Sequence, residues 1–156
     1  MRLASLTKTH DRKRFDCGEP ILNEWLQRQA LQSQTKRTAS TKVAVEHDES
    51  PVILGFYALS TTFVDVKTLP STYKGLPPEV PAFILARLAV GLEYKGMEIG
   101  RDMLLDAFER TRMRAEIVGG IGLLVHAKPQ AIGFYESFGF VHLLGSPSAM
   151  LLPFDD

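Results

Sequence analysis

The spacing of apolar positions changes its period several times along this chain. From Phe83 to Val90 the residues are apolar apart from one charge at Arg87, which predicts a short strand buried on both faces. From Ile99 the apolar positions recur at Ile99, Met103, Leu104 and Ala107, the spacing of an amphipathic helix, here predicted to run to about Ala115. Between strand and helix lies a short loop with Gly91, Gly96 and Gly100. Strand, glycine loop and helix start is an arrangement that offers backbone N–H groups to a phosphate. Loop glycines also serve plain turns, and from the pattern alone the two readings are level.

The rest of the chain divides in the same way. Leu3 to Thr9 is a first strand with patchy alternation. Gly18 and Pro20 announce a helix, with proline in the first turn where its missing N–H costs nothing. Leu22, Trp25, Leu26, Gln29 and Ala30 form one helical face, with Trp25 assigned to the core, and the helix fades near Lys36. Thr41 to Glu46 and the β-branched and aromatic run from Val52 to Val66 predict an antiparallel hairpin across a turn at residues 47–51. Leu69 to Pro81 holds four prolines and reads as a loop. After Gly119 to Gly122, Leu123 to Ala127 is a buried strand, with His126 at its core or rim. Pro129 opens a short helix to Phe138 that Gly139 closes as a C-cap. Val141 to Leu144 and Met150 to Leu152 make a closing hairpin. There are no internal repeats.

Composition narrows the class. At 156 residues and 45% hydrophobic content, one domain over residues 1–156 is expected. Eighteen basic residues balance eighteen acidic ones, so only local patches can speak for nucleic acid. The single cysteine, Cys17, excludes an internal disulfide and fits a reducing compartment. The start lacks the apolar run of a signal peptide, and no stretch reaches membrane-spanning length, so a soluble cytoplasmic protein is expected. Basic residues gather at Arg12, Lys13 and Arg14, at Arg28, at Lys36 and Arg37, and from Arg110 to Arg114. A solvated surface is the common fate of such clusters; a face for nucleic-acid phosphates is the functional alternative. For that role the first and third clusters stand out, because they flank the first helix. No metal-ligand spacing is present.

At this point the residues resemble a known family. Phe134-Tyr-Glu-Ser-Phe-Gly-Phe140, after a short helix that follows a buried strand, resembles the C-terminal signature of the GNAT superfamily of acetyl-CoA-dependent N-acetyltransferases. The order of elements is also theirs. Phe15-Asp-Cys-Gly18, Leu22-Asn-Glu-Trp-Leu26, Gly55-Phe-Tyr-Ala-Leu-Ser60, Ala86-Arg-Leu-Ala-Val90, Leu105-Asp-Ala107 and Leu151-Leu-Pro153 are similar to the GNAT toxins of type II toxin–antitoxin pairs. The resemblance spans essentially the whole chain, and the combination is specific where no single piece is.

The resemblance implies an α/β fold with a central, mixed, mostly antiparallel sheet flanked by helices. It implies acetyl transfer from acetyl-CoA to the α-amine of an aminoacyl-tRNA, a ribbon–helix–helix antitoxin and a homodimer. It assigns Tyr135 as the acid that protonates the departing thiolate. The cosubstrate would be held by Leu88, Ala89 and Val90, by Lys95 to Arg101 (Gly96, Met97, Glu98, Ile99 and Gly100 among them), and by Phe134. Arg87 either stands at the active-site edge, where it is counted among the tRNA contacts, or merely pairs with an acid.

One position departs from the family pattern, Gln/Arg-x-x-Gly-x-Gly/Ala. The register here reads Lys95-Gly96-Met97-Glu98-Ile99-Gly100, so Glu98 stands at a glycine position. Its carboxylate either caps the helix N-terminus or opposes a pyrophosphate. At about 5 Å and an effective dielectric of about 20, each such charge pair costs roughly 3 kcal/mol. Gly91 also replaces a residue that is commonly polar or acidic. Three readings therefore stand: an aminoacyl-tRNA acetylating toxin, a GNAT enzyme for a small amine or protein N-terminus, and a catalytically weakened member.

Overall fold

The computed structural model describes residues 1–70 and 73–154. Seven strands form a sheet in the order β1-β2-β3-β4-β5-β7-β6, mixed and mostly antiparallel. The chain divides into two compact units, Met1–Ser60 with Ala86–Ala107, and Thr61–Leu85 with Phe108–Asp156.

The first unit contains β1 (Arg2–Ser5), α1 (Pro20–Arg28), α2 (Ala30–Thr35) and β2 (Ser40–Val45), with the start of β3 (Gly55–Asp65), the end of β4 (Glu79–Val90) and the start of α3 (Ile99–Val118). β2 pairs antiparallel with β1 and with β3, as the hairpin pattern predicts, although β1 ends at Ser5 rather than Thr9. Pro20 occupies the first turn of α1, and Trp25, Leu26 and Ala30 are buried with Val43, Val45 and Phe56. On α3 the predicted face is the buried one: Ile99, Met103, Leu104 and Ala107. Tyr57 on β3 donates its hydroxyl proton to Asp106 on α3 at 2.5 Å, which joins two of the segments that carry the resemblance. Gly55 is required there, since a Cβ would lie 2.8 Å from the Ala89 carbonyl oxygen.

The single helix expected from Pro20 to Lys36 is broken at Gln29, whose φ and ψ are −122° and −25°. Neither proline nor glycine is responsible. Arg12 donates from Nη1 to the Gln27 carbonyl at 2.9 Å, the acceptor that an unbroken helix would give to Leu31. Arg12 is thus half-buried and committed to the fold.

His10 is buried, and Thr7 donates its N–H to the ring Nδ1 at 3.0 Å. Burial lowers its pKa below the ordinary value. A histidine kept neutral by folding contributes stability that is fully present above the unfolded pKa of about 6.5 and lost as pH falls through the lower folded value. The melting temperature should therefore fall as pH drops below the unfolded value of about 6.5, and His10→Gln should flatten that part of the curve. An equally steep fall in the variant would assign the acid sensitivity to other groups.

The second unit holds the remainder of β3, β4 and α3, with β5 (Gly122–His126), α4 (Ile132–Ser137), β6 (Val141–His142) and β7 (Ala149–Pro153). Val64, Val80, Ala82, Leu124 and Leu151 form its core. β5 pairs antiparallel with β7 over five residues, Gly122 opposite Pro153 to His126 opposite Ala149, and His126 lies at the exposed rim. The loop expected over Leu69 to Pro81 is shorter, because β4 begins at Glu79 and runs through Pro81. Proline supplies an acceptor but no donor, and the Pro81 carbonyl takes the Ile121 N–H at 3.0 Å. Residues 71 and 72 of that loop lie outside the described residues.

Two further expectations change. β4 is not buried on both faces: Val80, Ala82, Leu85 and Ala89 are buried while Ala86 is exposed and Leu88 and Val90 are half-buried. The parallel β4–β5 register consists of Phe83 opposite Leu123 and Ile84 opposite Leu124, and among the described residues it goes no further.

Candidate functional site

The glycine loop is built from its ends. The Gly91 N–H bonds to the Leu54 carbonyl at 2.8 Å, and the Leu92 N–H to the Asp16 carbonyl at 2.9 Å. Asp16 is itself fixed, since its Oδ1 accepts from the Gly18 N–H at 2.8 Å and from the Asn23 amide at 3.0 Å. The Gly18 N–H bond holds the Asp16 carboxyl below its ordinary pKa, and the Asn23 bond adds to this. The segment Phe15-Asp-Cys-Gly18 is therefore a fastener between the start of α1 and the loop after β4. Gly91 is structural, because a Cβ there would meet the Tyr94 ring at 3.0 Å. That explains why no polar side chain stands at this position.

Beyond a short 3-10 turn at Leu92–Tyr94, Gly96 has φ +84° and Glu98 has φ +61°. Glu98 adopts the left-handed conformation that a glycine takes without penalty and that costs other residues about 1–2 kcal/mol. The backbone thus preserves a glycine geometry under a glutamate side chain. The Glu98 carbonyl accepts from the Asp102 N–H at 3.0 Å, so α3 starts directly after it. The first N–H groups of α3 have no intrahelical acceptor and point out of its N-terminus. Glu98 does not cap them: its carboxylate lies 3.8 Å from Arg101, and both side chains are more than half exposed. Gly100 has an ordinary φ and room for a Cβ, with Val90 Cγ2 at 3.5 Å, so nothing in the protein itself demands glycine there. A bare backbone at that point suits a group approaching from outside. These features fit a diphosphate. The charges do not: Glu93, Glu98 and Asp102 outnumber Lys95 and Arg101.

Arg87, near the end of β4 before Leu88, Ala89 and Val90, is half-buried with its Cζ 4.0 Å above the Trp25 ring. It has no carboxylate partner among the described residues, which removes one of the two expectations for it. Burial lowers its pKa below the ordinary value. Lys13, Arg14, Arg28, Lys36 and Arg37 are exposed, whereas Arg12 is tied to Gln27. Arg112, in the α3 cluster, is paired with Glu109 at 2.9 Å and Glu116 at 3.8 Å.

In the second unit Tyr135 sits on α4, with its carbonyl held from the chain that follows. Its carbonyl accepts from the Phe138 and Phe140 N–H groups, and Gly139 has φ +97°, the left-handed C-cap that the sequence predicts. The ring is 8% exposed, edge-on to Phe134 and Phe140 at 5.2 Å each. Its hydroxyl makes no hydrogen bond among the described residues. Burial pushes its pKa up to about 12. The result is a phenol that keeps its proton at any working pH and has no partner to lose.

The acetyltransferase (GNAT) domain profile matches residues 16–150. The chain belongs to the GNAT acetyltransferase family. Among curated proteins, this GNAT chain is 32% identical over 128 residues to a tRNA-acetylating toxin of Mycobacterium tuberculosis, covering 81% of this chain and 75% of that one. It is 24% identical over 155 residues to a probable toxin TacT of Sinorhizobium fredii, covering 92% and 85%. Among solved structures it matches AtaT complexed with acetyl-methionyl-tRNA, with a TM-score of 0.90 at 28% identity over 97% of this chain and 94% of that one. It matches AtaTR bound with acetyl-CoA at a TM-score of 0.83 and 28% identity, over 98% and 93%. The GNAT fold expected from the resemblance is the fold observed.

Arg37 carries a signal that the sequence does not show. The Thr38 N–H bonds to the Ser33 carbonyl at 2.9 Å and the Arg37 N–H to the Gln34 carbonyl at 3.2 Å, a Schellman ending in which Arg37, φ +61°, takes the place usual for glycine. Strain of this kind collects at functional positions. Arg37→Gly should raise folding stability by about 1 kcal/mol. Where this cluster meets nucleic-acid phosphates, the alternative the sequence offers, pairing it with Lys36→Ala should also reduce the salt dependence of that binding by about 0.7–0.9 log unit per lost contact. Denaturant titration and binding at graded salt measure the two effects; an unchanged slope would make both residues plain surface.

Proposed function

We propose that this chain is the toxin of a type II toxin–antitoxin pair, transferring acetyl from acetyl-CoA to the α-amine of an aminoacyl-tRNA and so blocking translation. The observation that carries the proposal is the likeness, over 97% of the chain, to AtaT in complex with its acetylated methionyl-tRNA. The residues supply compatible chemistry. An α-amine titrates near pH 8, and an adjacent ester lowers that further, so a useful fraction is neutral without a strong base. The neutral nitrogen attacks the thioester carbonyl, whose oxygen is stabilised by a backbone N–H in Leu88 to Val90, on the part of β4 beyond its register with β5. The C–S bond then breaks. Tyr135 donates its hydroxyl proton to the departing sulfur, and the proton released by nitrogen restores the phenol, leaving amide and free thiol.

Lys95 to Arg101 hold the diphosphate through the first N–H groups of α3 and the charges of Lys95 and Arg101, and Phe134 packs beside the cosubstrate. Lys13, Arg14, Lys36 and Arg37 meet tRNA phosphates. Arg12 is a weaker candidate because Gln27 holds it. The antitoxin is of the ribbon–helix–helix type, and the toxin works as a homodimer in the cytoplasm. AtaT bound to the C-terminus of the antitoxin AtaR is a match at 26% identity and a TM-score of 0.82, which supports an antitoxin that reaches the toxin with a terminal segment.

A second reading, a weakened enzyme, is favoured by one observation: Glu98 keeps the glycine conformation yet adds a negative charge at the diphosphate loop. Incubation with total charged tRNA and acetyl-CoA, followed by mass spectrometry of the amino-acid moiety, tests both. Acetylated aminoacyl ends support the first reading. Acetylation of free amines or peptides alone would replace it, and no acetylation by a protein that still binds tRNA would leave the second.

A further inference from the structure

The start of the glycine loop is pinned from two sides. The Gly91 N–H bonds to the Leu54 carbonyl at 2.8 Å, and the Leu92 N–H to the Asp16 carbonyl at 2.9 Å. Between these anchors lies a cavity of about 200 Å³, lined by Phe15, Ile53, Leu92 and Tyr94 among others. With space rather than packed side chains behind it, the start of the loop depends on its hydrogen bonds. The far end is fixed separately, where the Glu98 carbonyl takes the Asp102 N–H at 3.0 Å and Ile99 is 6% exposed. The exposed stretch Lys95 to Glu98 hangs between the two ends.

The Asp16 anchor is organised by one side chain. Asn23, in the first turn of α1, uses both ends of its amide: Nδ2 donates to Asp16 Oδ1 at 3.0 Å, and Oδ1 accepts from the Cys17 N–H at 3.0 Å. The Gly18 N–H closes the same turn on Asp16 Oδ1 at 2.8 Å. A network of this kind also suits a plain entry into α1, whose N-cap residue, Glu19, makes no side-chain cap. Two observations give it a further destination. The Asp16 carbonyl leaves the turn for the Leu92 N–H. Gly18, at φ +88°, lies bare against the Leu92 side chain, where a Cβ would stand 3.1 Å from Cδ2. Neither contact is needed to start a helix. Asp16 and Gly18 are exposed, so the network adds little to the core.

We propose that Asn23 and Asp16 are positioning residues for the acetyl-CoA diphosphate: through Leu92 they fix the start of the loop, which then presents Lys95 and the N–H groups before α3 in one arrangement. The proposal rests on the reading above that Lys95 to Arg101 hold the diphosphate. A loop ordered in advance binds with less entropy to lose than one that its ligand must order.

Acetyl-CoA and S-acetylpantetheine, which carries the same thioester arm without the diphosphate, are titrated separately into the wild-type protein and into Asn23→Ala, Asp16→Ala, Asp16→Asn and Arg101→Ala. Asn23→Ala and Asp16→Ala should each weaken acetyl-CoA binding about tenfold, the ordering of roughly one backbone residue. Both should leave S-acetylpantetheine within about twofold. Asp16→Asn keeps an oxygen acceptor for Gly18 and Asn23, and should stay within about threefold of the wild type for acetyl-CoA. Hydrogen exchange at the Leu92 amide should quicken in the two alanine variants and stay slow in Asp16→Asn. Arg101→Ala, which acts on the diphosphate directly, should weaken acetyl-CoA alone. Melting curves verify folding. Asp16→Ala alters an exposed side chain and carries the test if Asn23→Ala is unstable.

Unchanged acetyl-CoA affinity in the alanine variants would overturn the proposal. Equal weakening of both ligands would make the network a general support of the fold and overturn it too. Asp16→Asn as weak as Asp16→Ala would take the effect away from the hydrogen-bonded turn, with the same consequence. If Arg101→Ala weakens acetyl-CoA and the alanine variants do not, the loop reading stands and the positioning role fails. If none of the variants separates the two ligands, the loop does not hold the diphosphate and both fail.

Discussion

Tyr135→Phe should lower turnover by roughly 10²–10⁴ while leaving the melting temperature and acetyl-CoA affinity close to wild type. The separation follows from the surroundings of the side chain. The ring is held edge-on by Phe134 and Phe140, and phenylalanine keeps both contacts. The hydroxyl makes no hydrogen bond among the described residues, so its removal strands no buried partner. What is lost is a proton beside a departing thiolate. Because burial pushes the phenol up to about 12, the tyrosine itself should impose no alkaline limb on the rate below that pH. The acid limb should follow the amine, which attacks only when neutral, near pH 8 or below. Single-turnover rates across pH, with calorimetric titration of acetyl-CoA, check each part. Unchanged turnover would remove Tyr135 from the mechanism, and a large loss of stability would make it a packing residue.

Glu98→Gly should raise acetyl-CoA affinity by roughly one to two decades, about 1.4–2.8 kcal/mol. It should also raise folding stability by about 1 kcal/mol, because φ +61° is free to glycine and strained for glutamate. Glu98→Gln divides these effects. It removes the charge and keeps the strained backbone, so it should recover the electrostatic share of the affinity with no gain in stability. The carboxylate lies by Arg101 rather than on the helix N–H groups, so the obstacle is charge, not a filled N-terminus. Either substitution also frees Arg101 for the diphosphate. Growth inhibition on expression should rise with affinity. Equal, tight binding by all three proteins would show that Glu98 faces away from the cosubstrate and would leave the weakened reading without its main support.

The sequence made the loop register legible. Glu98, the position matched to the first glycine of the family pattern, takes positive φ, and Gly139 closes α4 as predicted. Helical spacing alone assigns Trp25 to the core, and it is buried there. The basic residues were less legible. Charge clustering treats Arg12, Lys13 and Arg14 as equivalents, yet Arg12 is bound to a helix carbonyl while its neighbours are exposed. Nothing in the local pattern marks Arg37 as strained, because a Schellman ending usually announces itself through glycine.

By itself the sequence determined the order of the strands, the buried face of α3, the glycine-like loop before it and the aromatic helix that carries Tyr135. Those features depend on periodicity and turn chemistry, which act between residues a few positions apart. Only the tertiary structure decided which arginine is tied and which is available, where the first helix breaks, how far β4 extends through Pro81, and that the Asp16 carbonyl anchors Leu92. Each of these is set by a partner far away in the chain: Gln27 for Arg12, Trp25 for Arg87, Ile121 for Pro81, Leu92 for Asp16. A hydrogen bond or a ring stack needs its two groups within a few ångströms, and spacing along the chain does not report that distance until folding has closed it.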